Sequence, residues 1–311
     1  MAHHVIDGSR THACFDNSLG PLLEIDSGDT VTFELREPLD GQVTPETRPD
    51  QLLEIDGSRA HSLLGPVAVR GAVPGDTLEV EILEFSHHGW GWTGWLPGMG
   101  LLADDFPEPH IQHWRIENGV CRFADGDQVA VPFAPFCGVM GVAPAEPGRL
   151  DTLPPRRNGG NVDIRHLTAG ARAFLPVLAP GAGFATGDGH AAQGDGEVCG
   201  AAIEAPLTAT LRLHRRTDRT VPELQFQTPS PLVPDTAGGW YVTTDHGTDL
   251  YACAQGALRR AIDWLESEHG LTRHQAYCLC SAAADLKISE VVNPSFVVSV
   301  YVPLGVLSAP T

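Results

Sequence analysis

SGDTVTFELRE, residues 27–37, places a Gly-Asp-Thr turn directly ahead of an alternating run, and PGDTLEVEILE, residues 74–84, repeats the arrangement. Val31, Phe33 and Leu35 share one face of the first run, and Leu78, Val80 and Ile82 share one face of the second. That is the period of a strand buried on one side. Residues 207–215 (LTATLRLHR) and 295–306 (SFVVSVYVPLGV) extend the strand count. The signals are too few and too unevenly spaced for a propeller or a solenoid. Helical periodicity is confined to the later part of the chain. Leu250, Ala254, Ala257, Leu258, Ala261, Ile262 and Leu265 predict a helix over 249–269, stopped at Gly270, where a left-handed cap is available. Thr272 and Gln275 form a capping box that opens a second helix, carried by the pattern to about Leu286. The expected fold is mainly β with α+β parts: a β-sandwich-like unit plus a smaller α+β segment whose two late helices pack on a sheet.

The composition supports this architecture. Of 311 residues, 42% are hydrophobic and 19% charged, which excludes a disordered chain, while 34 glycines and 25 prolines exclude an all-helical one. A proline- and charge-rich connector at residues 144–158 separates an expected N-terminal β-rich unit, 1–145, from a C-terminal β-rich and α+β unit, 146–311, within one intertwined body. Residues 229–239 read as a second long loop. The net charge of −19 argues against nucleic acid and anionic membrane surfaces as partners and suits a small neutral or cationic substrate. Lys287 is the only lysine, so lysine chemistry is confined to that position. Seven cysteines without a C-x-x-C pair predict reduced, buried thiols and a cytoplasmic protein. No basic segment followed by an apolar run stands at the start, and the most apolar tract, 129–145, is interrupted by prolines and glycines.

Chemistry concentrates at residues 187–197, GDGHAAQGDGE, where Asp188, Asp195 and Glu197 surround His190 among four glycines. Asp188 and His190 stand two apart and share one side of an extended backbone. Val198, Gly200, Ala202 and Glu204 alternate as on a strand, so Glu204 is a carboxylate among small apolar neighbours, costly to bury unless paired or bound to a cation. An oxygen-rich set with one imidazole suits zinc, calcium, magnesium or manganese. Spacing alone favours an exposed turn, since this is not a strong metal signature of the H-E-x-x-H kind. His61, just before a Gly-Pro turn, is by itself more often a hydrogen-bonded group than a ligand. His110 and His113 have no ligand meaning at their spacing in a strand. The tryptophan-rich HHGWGWTGW, 87–95, with Trp92 at its centre, walls an apolar pocket or packs as core. Cys137 reads as a buried structural thiol, because no basic group stands near it in sequence. Neither a G-x-S-x-G elbow nor a Ser-Ser-Lys arrangement is present.

Taken in order, SLGPLLEIDSGDTVTFEL, HSLLGPVAVRGAVPGDTLEVEILE, GMGLLADDF, VPFAPFCGVMGVAP, RRNGGNVDIRHLTAGARAFLPV, GDGHAAQGDGEVCGAAIE and AYCLCSAAADLKISEVVN resemble the acetamidase/formamidase family over nearly the whole chain. The resemblance implies hydrolysis of a small aliphatic amide to a carboxylate and ammonia, a divalent metal beside the acidic segment, and a homo-oligomer. Zinc is the expected metal, with calcium, magnesium or manganese as alternatives. Carried over by position, His61, Asn161, Asp163, Asp188, His190, Glu197 and Glu204 match the family pattern. Ser62 and Leu64 depart from it after the first histidine, where substrate would be contacted. The expected roles are metal ligation by Asp163, Asp188, His190 and Glu204, catalysis by Glu197, Asp188 and Asn161, and substrate contact by His61 and Trp92. The alternative is a non-catalytic β-rich protein with a structural calcium site.

Overall fold

The structure, a computed structural model, describes residues 1–229, 239–291 and 294–307; the loop expected at 229–239 lies outside the described residues except at its ends. One sheet has six strands in the order β1 (His3–Ile6), β3 (Thr30–Leu35), β14 (Leu207–Arg216), β5 (Thr77–His87), β12 (Arg172–Pro176) and β15 (Gln225–Gln227). A second has the order β11 (Gly159–Asn161), β10 (Phe136–Gly141), β13 (Phe184–His190), β4 (Leu63–Val69) and β2 (Leu23–Ile25). The two Gly-Asp-Thr strands, β3 and β5, both pair with β14, which lies between them. Their apolar faces meet the second sheet, with Phe33 of β3 edge-on to Phe184 of β13 at 6.1 Å between ring centroids. This is the sandwich that the alternation predicts. Both sheets combine strands from either side of residue 145.

A four-stranded sheet, β6 (Trp90–Trp95), β7 (His110–Glu117), β8 (Val120–Phe123) and β9 (Val131–Pro132), adjoins the sandwich. A three-stranded sheet, β16 (Trp240–Gly247), β18 (Phe296–Pro303) and β17 (Asp285–Glu290), carries the helices. Helix α1 (Leu250–His269) lies on β16 and β18. The Asp249 carboxylate accepts from the N–H groups of Tyr251 and Ala252 at its start, and Gly270 takes φ 66° at its end. Helix α2 (Arg273–Ala283) has the Thr272–Gln275 capping box. It ends before Leu286, earlier than the periodicity suggests, because Ala284 turns extended and Leu286 and Ile288 pair with Val300 and Val298 of β18. Sheet pairing there overrides helical propensity.

A second expectation also fails. Residues 198–204 form no strand; Glu204 makes only isolated bridges, to His190 and Trp92. Positive φ at Gly196 (99°), Glu197 (45°) and Gly200 (89°) breaks the extended run.

Candidate active site

β13 supplies the first two groups. A side chain at Gly187 would collide with the carbonyl of Ser62, just before β4, and one at Gly189 with the carbonyl of Ala205, so only glycine fits between Asp188 and His190. Asp188 is not in plain extended backbone: its φ is 58°. Its carboxylate still meets the imidazole, with Oδ1 at 3.4 Å from His190 Nε2. Glu204 arrives from the far side. Two backbone hydrogen bonds clamp it to Trp92 of β6, and its Oε2 lies 3.2 Å from the same Nε2. The site therefore sits at the seam where β13 meets the four-stranded sheet.

Asp163 follows β11. Its N–H and that of Val162 both donate to the carbonyl of Gly138 on β10, which brings the carboxylate against the cluster. Gly138 has no room for a side chain: a Cβ there would stand 2.5 Å from Asp188 Oδ2, 2.6 Å from Asp163 Oδ1 and 2.7 Å from His190 Cε1. Glu197 is turned in by the loop after β13, with the Gly200 N–H donating to its carbonyl. His61, Asp163, Asp188 and Glu197 all have positive φ between 45° and 58°. Strain in non-glycine residues clusters where the surrounding structure over-determines a functional geometry.

All eight residues singled out from the sequence, His61, Trp92, Asn161, Asp163, Asp188, His190, Glu197 and Glu204, line one cavity of about 430 Å³. His110 and His113 lie outside it: His110 stacks on Trp95, and His113 bonds the Thr47 carbonyl. Asp195 is also elsewhere, near His166 and the Lys287-bearing strand. Cys137 is fully buried, and burial pushes its thiol up to about 12.

Sequence reasoning missed Gln193. Its amide NH₂ donates to the Asp163 carbonyl at 2.8 Å, which turns Oε1 toward His190 to accept from Nδ1–H at 3.0 Å. With Nδ1 so engaged, Nε2 is the nitrogen directed at the carboxylates. It missed Gly138 as well, and the apolar wall contributed by Leu39, Leu52 and Ile55. The signal for Gln193 was present, three residues after His190 in the same motif.

The electrostatics are unbalanced. Four carboxylates, Asp163, Asp188, Glu197 and Glu204, share the cavity lining with two imidazoles, and ligand atoms of all four gather about one of them, His190. Burial, only partly offset by the His190 imidazole, pushes Asp163 up to about 7. Burial, reinforced by the Asp163 carboxylate, pushes Glu197 well above the usual glutamate range. Burial would also raise Asp188, but the His190 and His61 imidazoles hold it below its ordinary value. Burial would lower His190, yet Glu204 and Asp188 hold it well above the usual range. In addition, His61 Nδ1, Trp92 Nε1, Asn161 Oδ1 and Asp163 Oδ1 are buried atoms without a hydrogen-bond partner. Such atoms are free to bind an ion, a water or a ligand.

A divalent cation fits these donors. Ligand atoms of Asp188, His190 and Glu204 lie within 4.8 Å of one another, as do those of Asp163, His190 and Glu197. Donors at ~2.1 Å on a tetrahedral ion stand about 3.4 Å apart, close to the 3.4 and 3.2 Å between His190 Nε2 and its two carboxylate neighbours.

A mainly β scaffold holds a carboxylate-and-imidazole cluster in the lining of a cavity of about 430 Å³, an arrangement with the donors that hydrolytic chemistry uses. The chain belongs to the acetamidase/formamidase family, which it matches over residues 3–150 and 146–309. It is an amide hydrolase, and the non-catalytic alternative falls away. It is 28% identical to the formamidase of Methylophilus methylotrophus, over 94% of this chain and 88% of that one. It is 29% identical to the acetamidase of Mycolicibacterium smegmatis, over 56% and 58% respectively. Among solved structures, the acetamidase of Bacillus halodurans aligns over 98% of this chain and 97% of its own, at 30% identity and a TM-score of 0.68. The gamma lactamase of Delftia acidovorans has the same fold, with a TM-score of 0.91 over 99% of this chain and 94% of its own at 23% identity.

Proposed function

We propose that the chain hydrolyses linear aliphatic amides of the formamide and acetamide type to a carboxylate and ammonia, with a divalent cation, zinc first, held by Asp188, His190 and Glu204 and approached by Asp163. The observation that carries this is the gathering of four carboxylates about the His190 imidazole, with unpartnered polar atoms in the lining of one cavity. A bound cation would supply Lewis acidity toward a carbonyl oxygen and toward water. Glu197 carries the proton. Burial and the Asp163 carboxylate raise its proton affinity above the usual glutamate value, which suits a carboxyl that delivers a proton to nitrogen. That delivery matters because an amine departs poorly until protonated. Asn161 presents its side-chain amide to the cavity as a donor toward the developing oxyanion, a contact worth roughly 2.7–4 kcal/mol.

The same reading makes the protein a cytoplasmic homo-oligomer; its seven free, buried cysteines support reducing surroundings. No helix among the described residues is long and apolar enough to cross a membrane. The test is ammonia release from formamide, acetamide, propionamide and a cyclic amide, before and after chelation, with metal analysis of untagged protein. Turnover of a linear amide that chelation abolishes and zinc restores is expected. Turnover indifferent to chelation would remove the cation from the reading.

A further inference from the structure

Formamide and acetamide account for the polar wall of the cavity and leave most of its volume unexplained. At roughly 30 Å³ per non-hydrogen atom, the volume of a water in the liquid, about 430 Å³ holds on the order of ten such atoms, against the handful in either small amide. A cavity of this size lies within the roughly 300–1,000 Å³ range of sites for drug-sized ligands. The lining also carries apolar side chains: Leu39, Leu52 and Ile55 from the segment between β3 and β4, and Trp92, Leu96 and Met99 from β6 and the turn after it. Its mouth is apolar too. Leu153 and Met99 both line the cavity while 62% and 40% exposed. Apolar side chains left in solvent at the rim of an apolar cavity mark a surface that a ligand covers.

We propose, resting only on the amide-hydrolase part of the reading above, that the site turns over formamide and acetamide less well than primary amides with larger apolar acyl groups: branched, alicyclic or aromatic. The carboxamide meets the carboxylates of Asp163, Asp188, Glu197 and Glu204, and the acyl group fills the part of the cavity lined by Leu52 and Leu96. Water attacks the carbonyl carbon, the C–N bond breaks, and nitrogen leaves with the transferred proton as ammonia. The products are the apolar carboxylate and ammonium, the proton released by the new carboxylic acid passing to the departed ammonia. No co-reactant beyond water is required.

Transfer of a buried methylene favours binding by about fourfold, so kcat/KM should climb through acetamide, butyramide and isovaleramide and be highest at cyclohexanecarboxamide or benzamide, at least tenfold above acetamide. Ala60 lines the cavity in extended backbone at the end of a short 3-10 turn. Ala60→Phe should lower the ratio of kcat/KM for cyclohexanecarboxamide over acetamide at least tenfold, and Leu153→Ala should lower it by a smaller factor. Circular dichroism of each variant confirms folding. Ammonia from acetamide with no gain for larger amides overturns the acyl-size inference and leaves amide hydrolysis standing. Ammonia from no member of the series overturns both. A ratio insensitive to both substitutions also overturns the inference, because these side chains would then not border the acyl group.

Discussion

Nδ1–H of His190 donates to Gln193 Oε1 at 3.0 Å, and the other half of the same amide donates to the Asp163 carbonyl. One side chain thus ties the imidazole of β13 to the residue that brings in the third carboxylate, and it selects which ring nitrogen faces them. Gln193→Leu removes that acceptor without removing a carboxylate. Cation affinity should fall about 10–100-fold, measured by titrating zinc into chelator-treated protein, while circular dichroism stays unchanged. An unaltered affinity would assign Gln193 to packing alone.

Glu197→Gln keeps the shape and removes the proton carrier. Amide turnover should fall by about 10²–10⁴, with cation content and melting temperature close to wild type. Full turnover in this variant would move the proton-transfer role elsewhere.

Gly138→Ala tests the closeness of the cluster. The added methyl would press on Asp188, Asp163 and His190 together. Overpacking of this kind costs about 1–3 kcal/mol. A lowered melting temperature and a loss of both cation binding and turnover should follow, since carboxylates and imidazole must spread to admit it.

Glu37 predicts a pH dependence. Its carboxylate accepts from the N–H groups of Leu39, Gly41 and Val43, shaping the loop that carries the Leu39 wall of the cavity. Burial outweighs these bonds and raises the group from 4.5 to about 7. The folded protein therefore holds this proton more tightly than the unfolded chain. The resulting stability is fully present below pH 4.5 and is lost as pH rises toward 7, with no further change from this group above it. Melting curves of Glu37→Gln should lack this decline. A parallel wild-type and variant profile between these limits would refute the assignment.

Much of the architecture is legible in short stretches of chain. The alternation of residues 30–35 and 77–82, the Asp249 cap, the Gly270 stop and the Thr272–Gln275 box each depend on neighbours within a few positions, and the structure has all of them. The gathering of Asp188, His190, Glu197 and Glu204 within one short span is likewise a property of the sequence. Other features depend on long-range pairing. α2 yields to a strand before Leu286 because β18 arrives to pair with it, and residues 198–204 refuse the expected strand because Glu197 and two glycines take positive φ.

Convergence was decided by tertiary structure alone. Asn161 and Asp163 reach the cluster through the register of β11 on β10 and of β10 on β13; Trp92 reaches it through the clamp to Glu204; His61 reaches it through the loop before β4. Periodicity says which face of a strand is buried. It does not say which strands become neighbours, because pairing is chosen by the burial of the whole core rather than by any one segment. The cavity and its apolar wall exist only once that choice is made.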